Sequence, residues 1–165
     1  MRKFLTIGAA GVALVAAGQA MAADTVITYT IQPTCDVTDL DDVTVNSANV
    51  GAANQALTQT EVFTVICDDA AGATLSLTTA NGGLQNADDA TIVNNYTAAV
   101  TGTGITTASL TTDGTAGATV PVVQTASADL ANPANSDNAT LTVTADAFAF
   151  SGTYSDTLTI DITAN

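Results

Sequence analysis

The sequence TLTIDIT at residues 157–163 places an apolar side chain at every second position, with threonine or aspartate between. The stretches LTVTA at 141–145 and ATLSLTT at 73–79 repeat this alternation. A two-residue period puts successive side chains on opposite faces of a β-strand, so each stretch has one face for a core and one for water. Threonine suits the wet face because its β-branched side chain fits the pleat. Beyond residue 22 there is no convincing helical period, so the pattern predicts an all-β protein.

Turn-forming clusters separate the predicted strands, at residues 68–72, 81–83, 113–114 and 132–138. Short strands at this spacing are typical of a β-sandwich, with a closed antiparallel sheet as the alternative. Apolar residues make up 47% of the chain and charged residues 11%, a balance that argues against disorder.

The first 22 residues have the composition of a secretory signal. Arg2 and Lys3 precede an apolar stretch, residues 4–17, and Ala20-Met21-Ala22 supplies small residues at a cleavage site. A membrane anchor is the competing interpretation, but the apolar run is shorter than the ~20 residues that a bilayer requires. We therefore predict a signal peptide at 1–22, an N-terminal extension at 23–32 and one domain at 33–165, with no direct membrane insertion.

Charge excludes several functions. The chain has sixteen acidic residues, no histidine and two basic residues, Arg2 and Lys3, both inside the predicted signal. The mature chain would carry a formal charge of −16 and no cation to contact nucleic-acid phosphates. It would also lack histidine as a base or metal ligand and lysine as a nucleophile. The sequence therefore predicts that the protein is not an enzyme, and it indicates no cofactor.

Two cysteines, Cys35 and Cys67, remain after the predicted cleavage. In an exported protein an isolated pair is most simply one disulfide. Each cysteine alternates in phase with apolar neighbours, so both sulfurs should point inward. The bond should tie the first strand of the domain to a strand over about Val62–Cys67, with roughly 3–4 kcal/mol of stabilisation in the chain-entropy model.

The segment Asp24–Ile31 alternates cleanly, with Ile27, Tyr29 and Ile31 on one face. It carries no charge after Asp24, and an apolar-faced strand of this kind aggregates if left unpaired. One interpretation makes it the first strand of its own sheet. The other makes it a donor strand for the sheet of a neighbouring subunit.

These features resemble the spore coat protein U type of secreted domain, which includes subunits of archaic chaperone–usher pili. The most specific similarity is the run SGTYSDTLTI at 151–160, which is similar to the Gly-x-Tyr-x-Asp-Thr closing strand of that family. The positions of Cys35 and of Cys67 at the end of a strand are similar as well, and Asn95-Tyr96 and Val120-Pro121-Val122 are weaker similarities. The chain departs from the family in lacking Lys and Arg in its mature part.

The resemblance implies an immunoglobulin-like sandwich that lacks its last strand, with an N-terminal donor strand. An acceptor groove would then lie beside Leu158, Ile160 and Ile162, close to the end of the sequence. The implied partners are copies of the chain or related pilin subunits, a periplasmic chaperone and an outer-membrane usher. The implied location is the cell surface, in an extracellular fibre that serves attachment or biofilm formation.

The alternative function is an acidic surface-layer or coat domain. Calcium binding would belong to this alternative, because carboxylate oxygens that could bind the ion occur at Asp39, Asp41, Asp42, Asp68 and Asp69. No spaced calcium motif accompanies them, so solvated turn residues are the simpler interpretation. A hydrolase based on carboxylates is disfavoured, since the adjacent pair at 88–89 would diverge on a strand.

Overall fold

The computed structural model describes residues 28–43 and 57–165, and Ile27 of the predicted donor strand lies outside them. Residues Gln32–Asn165 form one compact unit, whose described part consists of strands and connecting turns. The strands are β1 Cys35–Thr38, β2 Leu57–Cys67, β3 Ala73–Thr79, β4 Leu84–Asn86, β5 Val93–Asn94, β6 Tyr96–Gly102, β7 Ile105–Thr111, β8 Thr119–Gln124, β9 Ala139–Ala145, β10 Tyr154–Ser155 and β11 Leu158–Ala164.

The strands pair in antiparallel fashion in three sheets. A five-stranded sheet has the order β1-β2-β9-β6-β7, and a three-stranded sheet has the order β11-β3-β8. A small third sheet has the order β10-β4-β5. The alternating stretches of the sequence are β3, β9 and β11, and the predicted turn clusters all fall between strands. The all-β prediction is confirmed, and the open, separate sheets are consistent with a β-sandwich.

The core lies between the inner faces of the two larger sheets. Leu75 and Leu77 of β3 are fully buried, as are Phe63 and Val65 of β2. Alanines fill five of the other buried core positions, and each provides little apolar area. A thin core of this kind benefits from a covalent cross-link.

That cross-link is a disulfide between Cys35 and Cys67, the pair that the sequence predicts. The two cysteines are directly opposite each other on β1 and β2, with their side chains on the core side. Strand β2 is longer than predicted, because it begins at Leu57 and not at Val62.

The described part of the N-terminal segment, Thr28–Ile31, forms no strand. Its side chains are exposed, and those of Tyr29 and Ile31 are 86% and 73% accessible to solvent. Within residues 28–43 and 57–165, no helix has the length and apolarity needed to cross a membrane.

Candidate strand-acceptor site

Strand β11 contains all three residues of the predicted acceptor groove and lies at an edge of its sheet. Among the described residues its partner is β3, which lies on one side of it. An edge strand presents a row of backbone N–H and C=O groups that a further strand can bind. The direction of each group follows from the ladder with β3.

The register of this ladder is fixed by hydrogen bonds just outside both strand ends. The Ala80 N–H donates to the Thr157 carbonyl at 2.9 Å, and the Asn165 N–H donates to the Gly72 carbonyl at 3.2 Å. Hydrogen-bonded pairs recur at every second residue of an antiparallel ladder. The odd-numbered residues of β11 therefore bond to β3, and the even-numbered residues direct their N–H and C=O groups away from it.

Leu158, Ile160 and Ile162 are the even-numbered residues of β11, so their backbone groups face the open edge. Their side chains point inward, against the same core as Leu75 and Leu77 of β3. Ile162 is buried, but Leu158 and Ile160 are half-buried, whereas the two leucines that face the same core from β3 are fully buried. Within residues 28–43 and 57–165, this edge therefore combines backbone groups that have no strand partner with apolar side chains whose burial is incomplete.

Strand β1 forms the corresponding edge of the five-stranded sheet and lies next to β11 without pairing to it. The Asp68 N–H donates to the Thr34 carbonyl at 3.1 Å, which makes these two residues a hydrogen-bonded pair. By alternation, Cys35 and Val37 direct their backbone groups away from β2 while their side chains face the core. Both strands at this side of the sandwich thus have the geometry that a complementing strand requires.

The opposite side of the sandwich, between β7 and β8, is closed by Gln124. Its side chain is buried, and its amide oxygen accepts a hydrogen bond from the Thr106 N–H at 2.6 Å. Its amide nitrogen donates to the Thr106 carbonyl at 3.1 Å and to the Val122 carbonyl at 3.2 Å. The side chain thus takes the place of a strand partner for the backbone of Thr106. In addition, Pro121 removes a backbone donor from β8.

Asp156 fixes the start of β11. One carboxylate oxygen accepts hydrogen bonds from the Tyr96 hydroxyl at 3.0 Å and from the Thr79 hydroxyl. The other accepts from the backbone N–H groups of Asn81 at 2.9 Å and Thr157 at 2.8 Å. Since Thr79 ends β3 and Tyr96 begins β6, this carboxylate ties β11 to both larger sheets.

The pKa of Tyr96 is raised to about 12, chiefly by burial; a hydrogen bond with Thr79 opposes this rise, and the negative charge of Asp156 and the hydrogen bond to it contribute to it. The phenol therefore stays neutral and keeps its proton in the bond to Asp156 at any physiological pH.

The sequence predicted strand β11, but it did not indicate the structural roles of Asp156 and Gln124. Asp156 lies inside the run 151–160 on which the family resemblance rests. The motif therefore contains this residue, but it does not show which groups the carboxylate bonds to. Gln124 had no signal in the sequence, because one glutamine after an alternating stretch does not indicate where its amide bonds.

Two of the acidic residues considered for calcium, Asp68 and Asp69, accept hydrogen bonds from backbone N–H groups. An oxygen of Asp68 accepts from the Thr34 N–H at 2.5 Å, and an oxygen of Asp69 accepts from the Ala71 N–H at 2.9 Å. The described residues contain no group of three or more acidic or cysteine side chains arranged to hold a metal ion.

Comparison with known proteins leaves the family open. No family model matches the chain, and no curated protein matches it. One solved structure that it resembles is a chaperone–tip adhesin complex of CFA/I fimbriae biogenesis, at 15% identity and a TM-score of 0.48. The likeness covers 79% of this chain and 41% of the other, so this chain spans less than half of that chain's length. We base no inference on a likeness at this level, and the similarity to spore coat protein U domains stays a prediction.

Proposed function

We propose that the protein is a structural subunit of an extracellular fibre, in which a strand of one subunit adds to the open edge beside β11 of the next. The observation that carries this proposal is the edge itself. Leu158, Ile160 and Ile162 combine outward-directed backbone groups with inward-directed apolar side chains. The other side of the sandwich, by contrast, is closed by the buried amide of Gln124.

The proposed donor is the segment Asp24–Ile31 of a neighbouring subunit. Exposure of Tyr29 and Ile31 supports this role, because two large apolar side chains at alternate positions of one segment offer apolar area that a neighbour's groove could bury. A residue directly opposite Leu158, Ile160 or Ile162 has its side chain on the same, inward face of the sheet. Ile27, Tyr29 and Ile31 share one face and are the larger set, so they would enter the groove.

The energetics favour a stable junction. Burying three such side chains contributes roughly 5–8 kcal/mol, at ~1.5–3 kcal/mol each, before the cost of ordering the segment. Backbone hydrogen bonds to the edge add to this. Donor segment and acceptor edge are different surfaces of one chain, so the contact is head-to-tail and continues from subunit to subunit as a filament.

An open apolar edge is an aggregation hazard before assembly. We therefore propose that a periplasmic chaperone covers the edge during export and that an outer-membrane usher exchanges it for the next subunit's donor strand. The role is structural, with no catalytic step.

The test is a matched set of substitutions on the two faces of the donor segment. Ile27→Asp and Ile31→Asp should leave the subunit folded and abolish fibres, because each would bury an unpaired carboxylate in the neighbour's groove. Thr28→Asp and Thr30→Asp face the other way and should leave fibres intact. Electron microscopy of the cell surface measures fibres, and circular dichroism of the purified subunit measures folding. Unfolding of the Ile31→Asp subunit would contradict the proposal.

Deleting Asp24–Ile31 separates this function from that of an acidic coat domain. A fibre subunit should lose fibres on deletion, whereas a coat domain should still be exported and surface-bound.

A further inference from the structure

The outer face of the five-stranded sheet is uncharged across four adjacent strands. Every second residue points outward over 58–62 in β2, 140–144 in β9, 97–101 in β6 and 109–111 in β7. Nearly all of these outward residues are threonine or serine, with one valine and one alanine among them. We call this surface the threonine face.

Strand register arranges the threonine face in rows across the sheet. One row contains Thr58, Thr144, Thr97 and Thr111, each paired directly with the next. The hydroxyls of Thr58 and Thr144 lie 3.1 Å apart, and those of Thr97 and Thr111 lie 3.2 Å apart. Two of the three neighbouring pairs in this row are thus joined through their hydroxyls.

The middle row contains Thr60, Thr142, Ala99 and Ser109 and continues the pattern. The third row includes Val62, whose side chain is 47% exposed. The exposed Val62 and the half-buried Ala99 among the threonines give the face partly apolar character and lower the cost of removing it from water.

The outer face of the three-stranded sheet differs in charge. Its central row contains Asp161, Ser76 and Pro121, so a carboxylate lies in its middle. Carboxylates also follow two strands of the threonine face, at Asp146 after β9 and at Asp113 after β7. The threonine face is therefore a neutral area with acidic residues beyond its end.

We propose that the threonine face is a contact surface for a second copy of this chain and joins neighbouring fibres side by side. The joining of fibres rests on the proposed fibre function, whereas the face-to-face contact does not. The chain carries a net charge of −14 and has no basic residue after Lys3 to pair with an acid of another copy. Two copies therefore repel wherever carboxylates meet, and a neutral face is where they can approach.

The face is also complementary to itself. Its outward residues repeat about every 6.8 Å along each strand and about every 4.8 Å between strands, so two identical faces share one lattice. Two copies related by a twofold axis would place the same rows against each other.

The size of the face fits a contact that depends on repetition. Four strands and three rows span about 300 Å², well below the roughly 800 Å² per partner of a stable complex. A single pair of subunits should therefore associate weakly. Fibres repeat the contact along their length, and multivalency of this kind raises the total affinity about 10²–10⁴-fold.

Cross-linking of the purified chain tests the contact without fibres. Thr142→Cys places a thiol near the centre of the threonine face, and Thr78→Cys places one at a matched, half-buried position on the other sheet. Under oxidation at high salt, Thr142→Cys should form disulfide-linked dimers at least about tenfold faster, because association raises the effective thiol concentration. Equal rates for the two variants would overturn the proposal.

A second arm uses fibres on cells. Thr142→Asp should yield dispersed single fibres, because it sets a carboxylate against its own copy, while Thr78→Asp fibres should stay bundled. Thr142→Asp fibres that remain bundled would overturn the proposal. Fibres that remain bundled but no longer bind a neutral polysaccharide would also overturn it, because the face would then bind that polymer and not a second copy. A complete absence of fibres from wild-type cells would count against the proposed function alone, since the cross-linking rates would still decide the contact.

Discussion

The buried amide of Gln124 holds the backbone of Thr106 on both sides, accepting from its N–H at 2.6 Å and donating to its carbonyl at 3.1 Å. This one side chain joins β8, an edge strand of the three-stranded sheet, to β7, an edge strand of the five-stranded sheet. The opposite edges, β1 and β11, lie next to each other with no such bridge between them in the described residues. In the part of the chain that the structure describes, the sandwich is therefore asymmetric, with a side-chain bridge at β7–β8 and none at β1–β11.

Gln124→Leu should destabilise the subunit by about 1–3 kcal/mol, because it leaves the part-buried N–H and carbonyl groups of Thr106 without their side-chain partner. Urea denaturation followed by circular dichroism measures the change. Gln85→Leu is the matched control, since the Gln85 amide makes a single hydrogen bond, to the Ala90 carbonyl near the surface, and its loss should cost about 1 kcal/mol or less. Equal losses for the two variants would show that the bridge is unimportant.

Cys67→Ala should lower the free energy of unfolding by roughly 3–4 kcal/mol, the chain-entropy value for a separation of 32 residues. Cys35→Ala should cost about as much, because each change breaks the same bond. Non-reducing peptide mapping should recover Cys35 joined to Cys67. Two alkylatable thiols in the exported protein would be inconsistent with this account.

Asp156→Asn should lower the pKa of Tyr96 from about 12 while leaving it above 10.0, since the negative charge goes and burial remains. Ultraviolet titration of tyrosinate, with Tyr96→Phe to assign the transition, measures this value. An unchanged pKa in Asp156→Asn would show that the carboxylate does not act on the phenol.

Stability should also fall in alkali for the same reason. The folded pKa of Tyr96 lies above the unfolded value, so the unfolded chain releases this proton first. The free energy of unfolding should therefore be unaffected by Tyr96 below pH 10 and should decrease as the pH rises from 10 towards 12. Tyr96→Phe should remove this part of the pH dependence.

Sodium chloride should raise the melting temperature of the subunit. The chain has sixteen acidic residues and no basic residue after Lys3, and salt screens the mutual repulsion of the acids. A melting temperature that stays constant from low to molar salt would rule out self-repulsion as a significant term.

The strands with strict alternation could be predicted from the sequence, because a half-buried strand needs that pattern wherever it lies. Strand β11 at 158–164, β9 and β3 all belong to this group, and the inward phase of Cys35 and Cys67 followed from the same rule. The start of β2 could not be predicted, since its outer half contains Gln59 and Glu61 at inward positions and so hides the period.

The candidate site could be predicted from the sequence only in part, for a related reason. Alternation identifies which side chains of Leu158, Ile160 and Ile162 face inward, but not which strand pairs with β11 or on which side. That information depends on contacts between distant segments, such as the bonds of Asp156 to Tyr96 and Thr79. Such contacts leave no local pattern.

The central claim is that the donor segment of one chain lies beside β11 of another. Paired cysteines test it directly, with Tyr29→Cys in the donor segment, Ile160→Cys in β11, and Thr30→Cys with Ile160→Cys as the control on the other face. Surface fibres that carry the first pair should give a ladder of covalent multimers on non-reducing gels, and the control pair should give little. A disulfide confined to single chains would contradict the account, because the segment would then complete its own sheet.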